Sequence, residues 1–213
     1  MATLDSSSCR DRSEWPIEVE RSSYATKLWD QARRDGYGYR RSYDKETVFN
    51  CRVSSHTHAA VARFRKTRVG TVEPVSHFYR LHPDGVARTL LAGTGREYGS
   101  FTSPRPIHPK QARCITVREG ARLHSFPDWF RFNETVWHGF RQIGNSVPPA
   151  LARAVASNLV RVLGYEPSKP SGLVRLGDDG LLELSRRGAL AYFGIDPLTL
   201  PAQGAVVGCV PKH

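Results

Sequence analysis

The stretch Arg113-Cys114-Ile115-Thr116-Val117-Arg118-Glu119-Gly120-Ala121-Arg122-Leu123-His124-Ser125-Phe126-Pro127-Asp128 carries the plainest local order in the chain. Thr116-x-x-Glu119 is a capping-box pattern, in which the hydroxyl accepts from the Glu119 amide and the carboxylate reaches back to the Thr116 amide. A helix of two or three turns should follow, stopped by Phe126-Pro127. Beyond it comes Gln142-Ile143-Gly144-Asn145-Ser146-Val147-Pro148-Pro149. Read locally, this is a glycine turn, then Asn or Ser as an N-cap, then a helix whose first turn tolerates proline. Leu151, Ala154, Val155, Leu159, Val162 and Leu163 would form its apolar stripe, with Gly164 as the C-terminal cap. The free amides of such a helix start suit the carboxylate of a small ligand.

Upstream, Gly85-Val86-Ala87-Arg88-Thr89-Leu90-Leu91-Ala92-Gly93-Thr94-Gly95-Arg96 reads as a strand running into a Gly-rich loop, or equally as a tight hairpin loop. Strand-like pieces also cover Val75 to Leu81 and Ala87 to Ala92, cut by Pro83-Asp84-Gly85. His58 to Arg68 looks helical, with Ala59, Ala60, Val61, Ala62 and Phe64 before a basic end that suits the negative pole of a helix dipole. Tyr24 to Arg34 reads as a short helix broken by Gly36-Tyr37-Gly38-Tyr39. After a linker with Pro167 and Pro170, Ser185 to Phe193 makes a last small helix stopped by Gly194. Pro197 to His213 reads as a loose tail.

Charge says where a partner would bind. The net charge of +11 is concentrated: residues 33–131 hold 19 Lys and Arg against 8 Asp and Glu, and the flanking segments nearly balance. Alone, a basic stretch is often a solvated face. Interleaved with Tyr37, Tyr39, Tyr43, Phe64, Phe78 and Tyr79, it leans toward phosphate contact. The 213 residues suffice for one domain or two small ones. No apolar run reaches membrane-span length, and the N-terminus lacks a signal-peptide profile. Cys9, Cys51, Cys114 and Cys209 are too scattered for a zinc site or disulfide framework, which suits the cytoplasm.

The Arg113–Asp128 and Gln142–Pro149 blocks, in that order and spacing, resemble motifs IX and X of the DNA cytosine-5 methyltransferases. The likeness covers roughly residues 50–195, and residues 1–50 match nothing placeable. It implies an α/β chain, or rather an α+β fragment: a target-recognition domain plus C-terminal helices that complete a Rossmann-like methyltransferase domain. The divisions expected are 1–50 unassigned, 51–112 target recognition, 113–165 motifs IX and X, and 166–213 a C-terminal extension.

The resemblance also implies roles. Asn145 and Ser146 become contacts to S-adenosylmethionine, with Gly144 permitting close approach. Thr89, Thr94 and Arg96 become candidates for base-edge contact in double-stranded DNA, and Arg88, Arg105 and Lys110 for phosphate contact. Arg118 and Glu119 suit buried or interface pairing rather than catalysis. Gly120 stands where the family usually has Ala, a change costing about 1 kcal/mol of helix propensity.

The family's nucleophile is a cysteine following a proline, in a Pro-Cys-Gln type motif. The cysteines here follow Ser8, Asn50, Arg113 and Gly208. The Phe-x-Gly-x-Gly cofactor loop and the Glu-Asn-Val and Gln-x-Arg-x-Arg blocks are also missing. The expectation is therefore the C-terminal part or small subunit of a methyltransferase, inactive alone and needing a chain that carries the catalytic half. Met1 fits a natural subunit and a truncated frame equally well. The rival readings are a non-catalytic DNA-binding module, for which an intact motif X has no use, and a decayed product with exposed apolar surface on the Leu151 to Leu163 helix.

Overall fold

A computed structural model describes residues 12–14, 40–42, 47–93, 105–168, 171–175 and 177–196. The elements, in chain order, are β1 (Arg12–Glu14), β2 (Arg40–Ser42), β3 (Thr47–Phe49), α1 (His58–Lys66), α2 (Val117–Leu123), α3 (Val136–Asn145), α4 (Pro149–Val162), β4 (Leu173–Arg175), a 3-10 turn (Asp179–Glu183) and α5 (Arg186–Tyr192). β1 pairs antiparallel with β3, placing Arg12 opposite Phe49, and β2 pairs parallel with β4, placing Arg40 opposite Leu173. The described residues are thus helical with little strand. The expected Tyr24–Arg34 helix and the tail from Pro197 lie outside them.

The capping box forms as the sequence dictates. The Thr116 hydroxyl accepts from the Glu119 amide at 3.1 Å, and Glu119 Oε2 accepts from the Thr116 amide at 2.8 Å. α2 ends at Leu123, earlier than Phe126-Pro127 would require, because Ser125 takes a left-handed conformation (φ 59°). Gly164 and Gly194, both at φ 63°, close α4 and α5 as expected, and Ser185 caps α5.

The Gln142 block departs from its local reading. Gln142 to Asn145 form the last turn of α3 rather than a turn opening a helix, and Ser146 is its C-cap. α3 itself, capped by Thr135 and facing inward through Phe140 and Ile143, has no counterpart in the sequence reading. Gly139 and Gly144 masked it, since glycine disfavours helix interiors. Both glycines have packing reasons. A Cβ on Gly139 would fall 2.8 Å from Val117 Cγ1, and one on Gly120 would fall 2.9 Å from the Phe140 ring. Each helix thus offers a glycine to a large side chain of the other. The helix-propensity cost of Gly120 accompanies this close crossing.

The main core collects Leu81, Leu90, Ile115, Val117, Ala121, Phe126, Phe132, Phe140 and Ile143, drawing on both sides of residue 112. A smaller cluster holds Phe64, Ile107 and Cys114. The expected strands at Val75–Leu81 and Ala87–Ala92 shrink to bridges, Val72 to Tyr79 and Arg80 to Ile107. One cause is Glu73, whose buried carboxylate accepts from the Val75 and Ser76 amides and folds the chain into a turn before a strand can start. The other is that Ala87–Ala92 spends its length packing on α2 and α3.

Candidate nucleic-acid and cofactor interface

Motif IX is built around three arginines. Arg118, 1% exposed, donates from Nε to the Phe49 carbonyl (2.9 Å) and from its terminal nitrogens to Phe130 (2.7 Å) and Pro127 (3.3 Å). Its amide donates to the Asn50 carbonyl at 2.9 Å. Asn50, itself left-handed (φ 66°), exchanges two hydrogen bonds with the Phe132 backbone. The segment ending β3 is therefore stitched to motif IX. Arg122 grips Asp128 through two 2.9 Å bonds, and Arg113 grips Glu119 through two at 2.8 Å. Burial alone would raise the Glu119 pKa, but Arg113 and the Thr116 amide outweigh it and hold the carboxyl below its usual value. Arg118 and Glu119 are structural pairs, as the sequence led one to expect.

Motif X stands against the would-be recognition strand. A Cβ on Gly144 would lie 2.5 Å from the Ala92 amide nitrogen and 2.6 Å from its Cα, so the Leu91–Ala92 backbone rests directly on α3. The close approach that Gly144 permits in this structure is to the chain's own backbone. Ser146 spends both donors inward, its amide (3.1 Å) and hydroxyl (2.6 Å) both meeting the Ile143 carbonyl. Asn145 is exposed, and no described residue claims its side chain. The start of α4 offers little to an anion. Pro148 and Pro149 carry no amide hydrogen, and the Ala150 amide is taken by Ser125 Oγ at 3.0 Å. Ser125 thereby caps α4 from motif IX, a role the sequence did not signal. For a cofactor, Asn145 is exposed, Ser146 could only accept, and the amides of residues 148–150 at the start of α4 are absent or already taken.

The DNA candidates divide. Arg88 is exposed with its guanidinium 4.2 Å above the Tyr79 ring, and Thr89 beside it is exposed. Lys110 is exposed, while its amide donates to His108 Nδ1. Arg105 is partly committed, Nη1 donating to Ser54 Oγ at 2.9 Å and Nε being buried without a partner. Thr94 and Arg96 lie outside the described residues. Cys114 is fully buried, which pushes its thiol up to about 11 and makes it a poor nucleophile. Cys51 is half-buried against backbone carbonyls, and Cys9 and Cys209 are outside the described residues. Among the described residues no cluster could hold a metal, and no helix is long and apolar enough to cross a membrane.

The family model for C-5 cytosine-specific DNA methylases matches residues 6–161. The chain belongs to that family. The match starts well before residue 50, so the methylase likeness includes most of the N-terminal segment that the sequence reading left unplaced. The Type II methyltransferase M.XorII of Xanthomonas oryzae pv. oryzae is 49% identical over 177 residues, 82% of this chain and 41% of that protein. DNA (cytosine-5)-methyltransferase 2 of Arabidopsis thaliana is 48% identical over 76 residues, 32% of this chain and 5% of that one. Among solved structures, a protein described as a DNA modification methyltransferase encoded within a prophage (E. coli) superposes with TM-score 0.54 at 30% identity, covering 72% of this chain and 40% of that one. The chain spans about two fifths of the length of M.XorII. Methylases of this family use S-adenosylmethionine and act on DNA.

Proposed function

We propose that this chain supplies the target-recognition surface and closing motifs of a DNA cytosine-5 methyltransferase, and that it works with a catalytic half carrying the nucleophile. The observation that carries this reading is an uncovered face. α4 buries none of its residues, and Leu151, Val155, Leu159 and Val162, one turn apart along it, are 51–79% exposed. An apolar stripe of that length on a chain spanning about two fifths of M.XorII is the side on which the rest of a catalytic domain belongs. The same exposure was expected of a chain that does not fold alone, and the partner separates the two cases.

In the assembled enzyme, S-adenosylmethionine supplies the methyl group. The residues of this chain position what reacts. Asn145 contacts the cofactor from the end of α3, and the motif IX helix, locked by Arg118, Arg122 and Asp128, fixes the recognition segment against it. Thr89, with Thr94 and Arg96 further along the chain, reads base edges. Arg88, Lys110 and the uncommitted terminal nitrogen of Arg105 hold phosphates.

The test pairs the full chain with the portion of M.XorII that it leaves uncovered. Asn145→Ala should weaken S-adenosylmethionine binding more than DNA binding. Thr89→Ala should relax preference at one or two base pairs by about 1–3 kcal/mol, while Arg88→Gln and Lys110→Gln weaken all duplexes alike. Equal losses for cofactor and DNA with Asn145→Ala, or uniform losses with Thr89→Ala, would remove those roles.

A further inference from the structure

Residues 51–72 contain Arg52, Arg63, Arg65, Lys66 and Arg68 and not one Asp or Glu. Among the described residues Arg63 alone of these finds a carboxylate, Glu73 at 3.3 Å. Arg65, Lys66 and Arg68 are exposed, and among the described residues no acidic side chain pairs with them. They surround the C-terminal end of α1, which on its own would repel an anion because its last carbonyls point outward and carry the negative pole of the helix dipole.

Here that end is neutralised from inside. Arg80 Nη1 donates to the carbonyls of Phe64 (3.0 Å), Arg65 (3.4 Å) and Thr67 (2.7 Å), and Nη2 donates to Pro109 at 3.0 Å. A fixed guanidinium thus occupies the place where the helix would present partial negative charge. The exposed side of α1 leading to it carries Ala59 and Ala62, small enough to let a chain of phosphates approach the helix closely.

The placement relative to the recognition segment is direct. The turn after α1 bonds to the bridge segment that follows, the Gly70 amide donating to the Arg80 carbonyl and the Arg80 amide to the Thr71 carbonyl, both at 2.8 Å. Tyr79, beside Arg80 in that segment, carries Arg88 on its ring. The cationic end of α1 and the exposed Arg88–Thr89 pair are therefore joined through the bridged Tyr79–Arg80 segment.

We infer that the C-terminal end of α1, through Arg65, Lys66 and Arg68 with the half-buried Arg80 as neutraliser, is a backbone clamp for the phosphodiester chain of duplex DNA. The inference rests on reading the chain as a DNA-recognition part, but it assigns that contact to α1, which the sequence reading did not name. Arg65, Lys66 and Arg68 position the duplex and carry no base preference.

The experiment measures binding of the purified full chain to a panel of fluorescent duplexes over a salt series. Arg65→Gln/Lys66→Gln/Arg68→Gln should make the slope of log affinity against log salt shallower by about 2–3, roughly 0.9 for each phosphate no longer neutralised. Any preference among the duplexes should stay as in the wild type. The control Arg153→Gln/Arg161→Gln/Arg187→Gln removes the same charge from exposed positions on α4 and α5 and should leave the slope unchanged. Equal effects from the two triples, no effect from the first, no duplex binding by the wild type, or tighter binding to single-stranded RNA of equal length would each overturn the clamp. A clamp that behaves as expected on a chain with no preference among duplexes would leave the clamp standing and remove base recognition by Thr89.

Discussion

Gly144 and Ala92 meet backbone to backbone: the position of a Cβ on Gly144 is 2.5 Å from the Ala92 nitrogen. Nothing at that contact is the flexible end of a side chain that could step aside. Gly144→Ala should therefore separate the Leu91–Ala92 segment from α3 and destabilise the chain by about 1–3 kcal/mol, despite the helix propensity gained. Chemical denaturation of the two proteins checks this. A variant as stable as the wild type would mean that the segment is not seated there in solution.

Ser125 does two opposed things. It sits at φ 59°, strained for a side chain, and its hydroxyl accepts from the Ala150 amide at the start of α4. Ser125→Ala loses the cap and keeps the strain, and should cost about 1 kcal/mol; Ser125→Gly relieves the strain and should cost less. Urea midpoints of the two variants give the order, and the reverse order would show that the hydroxyl is not the cap.

Arg118→Met should be among the most damaging single changes. It leaves the carbonyls of Phe49 and Phe130 without their donor inside the protein, and should cost about 3 kcal/mol or more. Thermal melts would show it. Arg122→Met, whose side chain is more exposed, should cost less.

Acid should unfold the chain in two stages. His56 is held below its usual value by burial and by Arg105 and Arg113, and His108 and His124 chiefly by burial. His56 Nε2 accepts from the Cys114 amide at 3.1 Å, which requires that nitrogen to be unprotonated. A group whose folded pKa is depressed contributes stability above its unfolded value and loses it as pH falls toward the folded one. Stability should thus decline as pH drops below about 6.5 through the histidines. It should decline again below about 4.5 through Glu119 and Glu73, both also depressed. His56→Asn should blunt the first stage in denaturation curves taken across that range, and an unchanged profile would contradict the assignment.

What could be read from the chain and what could not follow from the range of the interactions. Thr116 with Glu119, and Gly164 and Gly194 after their helices, are local signals, complete within four residues, and were legible, whereas Ser185 was read as the first residue of its helix and is instead its N-cap. α3 was not, because Gly139 and Gly144 look like breakers until Val117 and Ala92 are seen against them. The cap that Ser125 gives Ala150 spans 25 residues and leaves no mark in either segment. For the candidate site, Arg88, Thr89, Lys110 and Asn145 are exposed. Arg105 and Ser146 spend donors inward on Ser54 and Ile143, partners that charge and motif alone could not reveal.

The central claim is that this chain completes a methyltransferase whose nucleophile lies in another part of the enzyme. Transfer of labelled methyl from S-adenosylmethionine to duplex DNA tests it most directly, with the full chain alone, the uncovered portion of M.XorII alone, and the two expressed together. The account predicts incorporation only in the combination, abolished when Val155→Asp places a charge in the apolar stripe of α4. Incorporation by the full chain alone, or by the combination unaffected by Val155→Asp, would contradict it.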